Sequence, residues 1–419
     1  MRNRWLAVVV TAVAVCLGCS GCGAKTEVRE PEKTELRVVF AEGDLSWTGS
    51  MEWVAERFME ENPDISVVLK SPGDVDGQSF TDRLKVLIAE DEFSDVLELR
   101  ESAIFAQNGY LSELPESVTS LVREEYRGKG ACYAIPRYTT TLGILYNRDL
   151  FEKLGLSEPE SYEDFLEICE TIRDAGVNPL AIGGANNWHM GFWGNYLYQN
   201  YILNEENKAE WDSDALEEML TDFRSFRKKH YVDARFQNIT DSQTVQELST
   251  GASAMLYSGP WMIDQIKNLN PQMEIGFFYV PAKQGVTRIE EDRSAEWGIS
   301  AKCAENETKR EAAVRFLQFF YSEGIYEHVL SQMNAESVVV RREMGEETGE
   351  ETKVQTLIKM AKKPDMVSCT QIIGDPDSPD GFRNFYNQKL QEVLFGNRSL
   401  SVIATEIRQN WEGKKNETP

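Results

Sequence analysis

Three kinds of residue group could do chemistry, and the chain holds two of them. The first is a turn: the apolar run 252–257 is stopped by Ser258-Gly259-Pro260, and Trp261 follows at once. Such a short apolar run reads as a buried strand, and Pro260 can take the first helical position, where no amide hydrogen is needed. A helix then opens directly onto Trp261. This places free backbone amides and a broad indole face together at the end of a strand, where open α/β sheets bind their ligands. The competing reading is a core tryptophan after a tight turn. The second group is Cys16, Cys19 and Cys22, a C-x-x-C-x-x-C pattern with metal-ligand spacing. It ends an apolar N-terminal segment with no fold around it to hold a cluster, so a metal or iron–sulfur reading fails. The third is catalytic, and it is missing. No H-E-x-x-H, G-x-S-x-G or P-loop occurs, and the three histidines stand in no partnered arrangement. No cofactor or metal site is expected.

The elements that must position Trp261 alternate in type. Strands are expected at 36–41, 65–69 and 95–99, separated by helices at 50–61 and 80–89, and a further helix, 102–108, is stopped by Gly109. Repeated βαβ units build a parallel sheet. From Cys132 the pattern becomes a strand-rich connector broken by Pro136, with Thr139, Thr140 and Thr141 favouring extension and residues 144–146 re-entering a core. Two lobes are expected to meet here. Ser161 with Asp164 three residues later is an N-cap signature, and Phe165, Ile168, Cys169 and Ile172 form the buried stripe of the helix that follows. A strand at 178–182 leads into a polar loop, 183–189, and helices near 192–203, 213–229 and 241–248 lead back to the turn at Trp261. Beyond a strand at 274–280, Pro281-Ala282 reads as the exit to the other lobe. Residues 283–293 read as a charged loop, 295–301 as a strand, and 308–321, extended by 325–330, as an amphipathic helix. Residues 341–353 are mostly charged and read as solvated surface, and helices at 382–394 and 400–411 close the chain.

The chain has 419 residues, 41% of them hydrophobic, enough for two domains with a large core. Lys and Arg number 44 against 69 acidic residues, a formal charge of −25 that repels nucleic acid and anionic lipid headgroups. Arg2 and Arg4, the apolar run 5–17 and the small residues after it form an export signal too short to span a bilayer comfortably. Its end resembles a bacterial lipoprotein lipobox. Cys22, between Ser20-Gly21 and Gly23, fits the lipidated position best, with Cys19 the second choice. An acylated Cys22 would tether the protein to the membrane, followed by a flexible charged spacer. The other four cysteines, Cys132, Cys169, Cys303 and Cys369, are widely scattered and read as free thiols, without the spacing of a disulfide framework.

Several stretches together resemble the bacterial ABC-transporter extracellular solute-binding proteins, the carbohydrate-binding family that includes the maltose-binding protein. YAIPRYTTTLGILYNRDLFEKLGL and SYEDFLEICETIRDAGVNPLAIGG are similar to its lobe-crossing strand and next helix. GASAMLYSGPW with IGFFYVPA is similar to its second crossing, and EWGISAKCAENETKREAAVRFLQFF to its helix-bearing return. The likeness covers nearly the whole mature chain. It implies an α/β, two-lobed periplasmic-binding-protein-like fold, with hinge-linked lobes closing over a ligand in the cleft between them. By its order of pieces, residues 1–22 are a signal peptide and 23–34 a linker. Residues 35–140 and 281–335 form the N-terminal lobe, 141–280 and 336–412 the C-terminal lobe, and 413–419 a tail.

The resemblance also implies roles. Asp44 aligns with a carboxylate that accepts hydrogen bonds from sugar hydroxyls, and Arg100 and Glu101 with a polar pair at the cleft. Trp188 lies in the loop where the family places an aromatic, Trp261 aligns with its stacking tryptophan, and Phe382 and Phe385 sit where another ring is expected. Tyr138 and Trp297 are counted with the binding residues, with core packing as their competing reading, as for Trp47, Trp193 and His189. The chemistry is consistent: a sugar has an apolar C–H face that an indole can cover and an equator of hydroxyls that ionised groups can bind. The expected function is a receptor that captures a sugar or oligosaccharide and delivers it to an ABC permease. It is expected to be a monomer and no enzyme. The alternatives are the same fold with a peptide, amino acid, polyamine or metal as ligand, or a secreted glycoside hydrolase using paired carboxylates.

Overall fold

A computed structural model describes residues 33–42, 45–73, 79–90, 92–127, 130–212, 214–293, 295–340, 352–374, 378–379 and 381–415. The signal segment with Cys22, the spacer, Asp44 and most of the charged stretch 341–353 lie outside the described residues. The strands are β1 Thr34–Val39, β2 Ile65–Lys70, β3 Val96–Leu99, β4 Leu111–Ser112, β5 Ala134–Pro136, β6 Thr140–Thr141 and β7 Gly143–Asn147. They continue as β8 Asn178–Ala181, β9 Ser253–Ser258, β10 Ile275–Phe278, β11 Arg288–Asp292, β12 Glu296–Ser300 and β13 Val367–Cys369.

These strands sort into three sheets. The first runs β2-β1-β3-β12-β4, with β5 also paired to β12, and the second runs β10-β7-β9-β8. The third is small, β13-β11-β6, and lies where the chain passes between the other two. In the first sheet β1, β2 and β3 are parallel, as the βαβ pattern demands, while β12 joins β3 antiparallel. The order β2-β1-β3 makes the gap between β1 and β3 a switch point, where successive connections leave in opposite directions.

Both larger sheets are covered on both faces. In the first, Leu36, Val38, Val96 and Ile299 face one core while Val39, Leu97 and Leu99 face another. In the second, Ile144, Tyr146 and Tyr257 face a core closed by the helices Tyr162–Asp174, Ala215–Lys228 and Phe382–Phe395, and Leu145, Leu256 and Phe277 face the opposite one. This alternation is the period-two signature of strands sandwiched between helices. Each sheet with its helices makes one lobe.

Three differences from the sequence reading concern the crossings and the first helix. The strand-rich connector after Cys132 is shared among all three sheets, because residues 137–139 and Leu142 separate β5 in the first sheet, β6 in the third and β7 in the second. Residues 283–293 are no simple loop: β11 forms there despite its charges, because β6 and β13 pair with it on both sides. The first helix spans Leu45–Glu61, starting before residue 50, because Trp47 belongs to the same buried face as Met51, Val54 and Phe58. The cap at Ser161 is as expected, its hydroxyl accepting from Asp164 N–H and the Asp164 carboxylate from Ser161 N–H. No disulfide joins the four described cysteines; Cys132 is half-buried and the others are buried. Among the described residues no helix is long and apolar enough to cross a membrane.

Candidate functional site

Trp261 sits where three cores meet, partly buried against the first lobe's core and against both cores of the second. Its ring folds back over Gly259, where a methyl carbon would lie 1.7 Å from indole Cζ3. Glycine is therefore required at 259 by the indole rather than by a special backbone angle. The helix starts two residues beyond Pro260, the expected first position, at Met262, because a turn intervenes: Met262 N–H donates to Gly259 O and Ile263 N–H to Pro260 O. Phe192 stands edge-on to Trp261 at 6.0 Å, and Trp188 stands edge-on to Phe192 at 5.6 Å. Trp188 is 45% exposed. The three rings make a continuous aromatic row along the second lobe, from the meeting of the cores out to solvent.

The first lobe contributes charge at the C-terminal ends of β1 and β3. Glu98 is 0% exposed and is the acceptor at the centre of this cluster. Its carboxylate takes the Ala41 amide at 3.1 Å, the Trp47 indole N–H at 2.9 Å and Arg100 Nη2 at 3.0 Å. Arg137 Nη1 is an ion-pair partner at 3.0 Å, and its guanidinium lies over the rings of Trp47 at 3.9 Å and Tyr138 at 4.7 Å. A buried carboxylate between two guanidinium groups holds the ends of both strands in one arrangement. Arg100 keeps 26% of its side chain exposed beyond this contact.

Glu101, next in sequence, has a left-handed backbone, φ 60° and ψ 48°, which costs a non-glycine residue about 1–3 kcal/mol and is held by the strand end before it and the helix Ser102–Gln107 after it. Its carboxylate lies 4.0 Å from Arg383 Nε, on the helix Phe382–Phe395 of the second lobe. Arg383 Nε also donates to Ile373 O at 2.6 Å, and its guanidinium lies against Gly374, where a methyl carbon would be 2.3 Å from Nε.

Of the expected binding residues, Arg100, Glu101, Trp188 and Trp261 are thus at least partly accessible and border the meeting of the lobes, while Asp44 is outside the described residues. The structure buries three others. Trp297 is 0% exposed, because its position on β12 points inward onto Trp47 at 6.1 Å and Phe320 at 5.4 Å. Phe382 is also 0% exposed, packed on Trp411 at 4.9 Å and Trp211 at 5.4 Å. Tyr138 is buried edge-on to Trp47 beneath Arg137. All three are core rings, as the competing reading of Tyr138 and Trp297 had it. Sequence reasoning missed Glu98, Arg137, Phe192 and Arg383. A signal existed for the first two: each is a charge inside an otherwise mostly apolar run, VLEL and YAIPRY.

Residues 46–327 match the family model of the bacterial extracellular solute-binding proteins. The chain belongs to that family. A multiple sugar-binding protein of Streptococcus mutans is 20% identical over 71% of this chain and 76% of its own. Among solved structures, a chitin oligosaccharide binding protein matches with a TM-score of 0.77 at 19% identity, covering 91% of this chain and 99% of that one. A sugar transporter protein from Bacillus licheniformis, solved in complex with stachyose, matches with a TM-score of 0.74 at 17% identity, covering 90% and 99%. These likenesses establish the two-lobed binding-protein fold, with the cleft between hinge-linked lobes.

The crossing strand β11 of this solute-binding protein carries a buried carboxyl. Glu290 accepts from Asn195 Nδ2 at 2.8 Å, while its Oε2 is buried with no hydrogen-bond partner. Burial, reinforced by Asp292, pushes the Glu290 carboxyl well above the ordinary 4.5. A carboxyl whose pKa is raised on folding holds its proton more tightly in the folded state, so folding stability declines as pH rises above the ordinary value. Glu290→Gln mimics the protonated form. Its melting temperature is expected to exceed that of the unaltered protein by a margin that widens between about pH 5 and about pH 8. Melting curves at those two pH values check this; a constant or shrinking margin refutes it.

Proposed function

We propose that this solute-binding protein captures a sugar or short oligosaccharide between its lobes and delivers it to an ABC permease, without chemical turnover. The observation that carries the reading is the pairing of the aromatic row of Trp188, Phe192 and Trp261 on one lobe with the charged Arg100 and Glu101 at the strand ends of the other. Flat rings suit the C–H face of a pyranose, and ionised groups suit its hydroxyls. Asp44 is assigned to the same site, from its place in the sequence shortly after β1. The lobe boundaries proposed are those given from the sequence, residues 35–140 with 281–335 and 141–280 with 336–412. An acyl group on Cys22 is proposed to anchor the otherwise extracytoplasmic monomer, and Cys22→Ala should release it into the medium.

A thermal-shift panel of mono- and oligosaccharides tests the ligand. A sugar that binds only the folded form, present at about 100 times its Kd, adds about 2.7 kcal/mol of stability and raises the melting temperature. Chromatography of the same mixtures should recover the sugar intact. A panel with no shift, answered by peptides instead, overturns the sugar reading; cleaved sugar overturns the receptor reading.

A further inference from the structure

A pair of polar contacts crosses from one lobe to the other and ends on the first turn of the helix Phe382–Phe395. Arg383 faces Glu101 at 4.0 Å, and Asn384 Nδ2 donates to Asp82 Oδ2 at 3.2 Å. The two carboxylates belong to neighbouring elements of the first lobe, tied together where Thr81 Oγ1 donates to Arg100 O at 3.1 Å. The helix they face has Gly381 as its N-cap, a residue with no side chain to offer the N-terminal amides. Negative charge in front of that end is favourable, since the helix dipole and Arg383 are both positive there. Each partner is also held in place by its own lobe. Asp82 is locked in a capping box with Ser79, Arg383 is seated against Ile373 O and Gly374, and Asn187 Nδ2 donates to Asn384 O. The strained backbone of Glu101 puts its carboxylate within reach of Arg383.

We propose that Asp82 and Glu101, facing Arg383 and Asn384, form an electrostatic latch that holds the lobes together when no ligand is bound. The inference rests on the two-lobed fold and not on the sugar reading. The latch competes with Lys85, whose ammonium lies 3.7 Å from Asp82, so part of the attraction is satisfied within the first lobe. Asp82 is about two-fifths exposed, and single exposed pairs contribute little, so the latch acts through the sum of both contacts and is weakened by salt.

The test needs no ligand. Spin labels on cysteines introduced at Ala89 and Gln388, exposed positions on the two helices that carry the latch, report the lobe separation; Cys132, the one half-buried described thiol, is replaced by Ser. The unaltered protein is expected to show a short distance population that moves to longer distances in about 1 M salt, where the Debye length falls to about 3 Å. The double substitution Asp82→Asn, Glu101→Gln should show the longer population already at low salt and respond no further. Its melting temperature should stay near that of the parent, because both changes preserve shape and an amide oxygen at position 82 can still accept from Ser79. Identical distance distributions for parent and variant, or a salt response that survives in the variant, overturn the latch. If the saccharide panel fails, this result still stands or falls separately.

Discussion

Replacing Trp261 by Ala lowers affinity for the bound sugar by about 30-fold or more, the equivalent of about 2 kcal/mol for truncating a buried tryptophan anchor. The ring lies at the meeting of three cores and is reached edge-on by Phe192, so the loss removes the inner end of the aromatic row. A second variant separates stacking from general damage. Gly259→Ala leaves the indole in the chain but places a methyl carbon on top of it, 1.7 Å from Cζ3 as the ring now lies. The ring must swing away, so Gly259→Ala should lose affinity on the scale of Trp261→Ala. Calorimetric titration of both variants decides it. Unchanged affinity in Trp261→Ala removes the indole from the site, and unchanged affinity in Gly259→Ala shows that the ring's position does not matter.

Glu98→Leu is expected to be the most destabilising single change at the site, by about 3–5 kcal/mol, because it leaves Arg137 buried without its counter-charge. Burial sets the size of this effect: Glu98 is fully enclosed, and the Trp47 indole N–H and Ala41 amide lose their acceptor along with the guanidinium groups. Glu98→Gln keeps an acceptor oxygen and removes the charge, so it should fall between the parent and Glu98→Leu. Urea unfolding midpoints rank the three. Equal midpoints would show that the cluster contributes specificity of shape and no stability.

How far the sequence foretold these features depends on whether local or distant residues control them. β9, the stop at Gly259-Pro260 and the Ser161 cap are settled within a few residues, and each could be read directly. The accessibility of Trp188 and Trp261 also followed, through the resemblance, from their turns. What failed were judgements of which way a ring points. Trp297 and Phe382 are aromatic residues on regular elements, and only the partner layer, Phe320 for one and Trp411 for the other, decides that they face inward. β11 was missed because its charged composition opposes a strand, and pairing from two distant segments overrides local preference. Arg383 and Glu101 are far apart in sequence, so their meeting is a tertiary fact with no local trace.

The position of β12 bears on when the first sheet can be completed during synthesis. Between β3 and β4 of the first sheet lies a strand that the ribosome makes only after the whole central portion of the second lobe. Until residue 300 has emerged, β3 has an open flank and Glu98 lacks the Trp297 backbone that it faces in the finished sheet. An early, complete first sheet is thereby denied to the nascent polypeptide. The same delay makes fragments that stop short of β12 prone to pair edge to edge and precipitate.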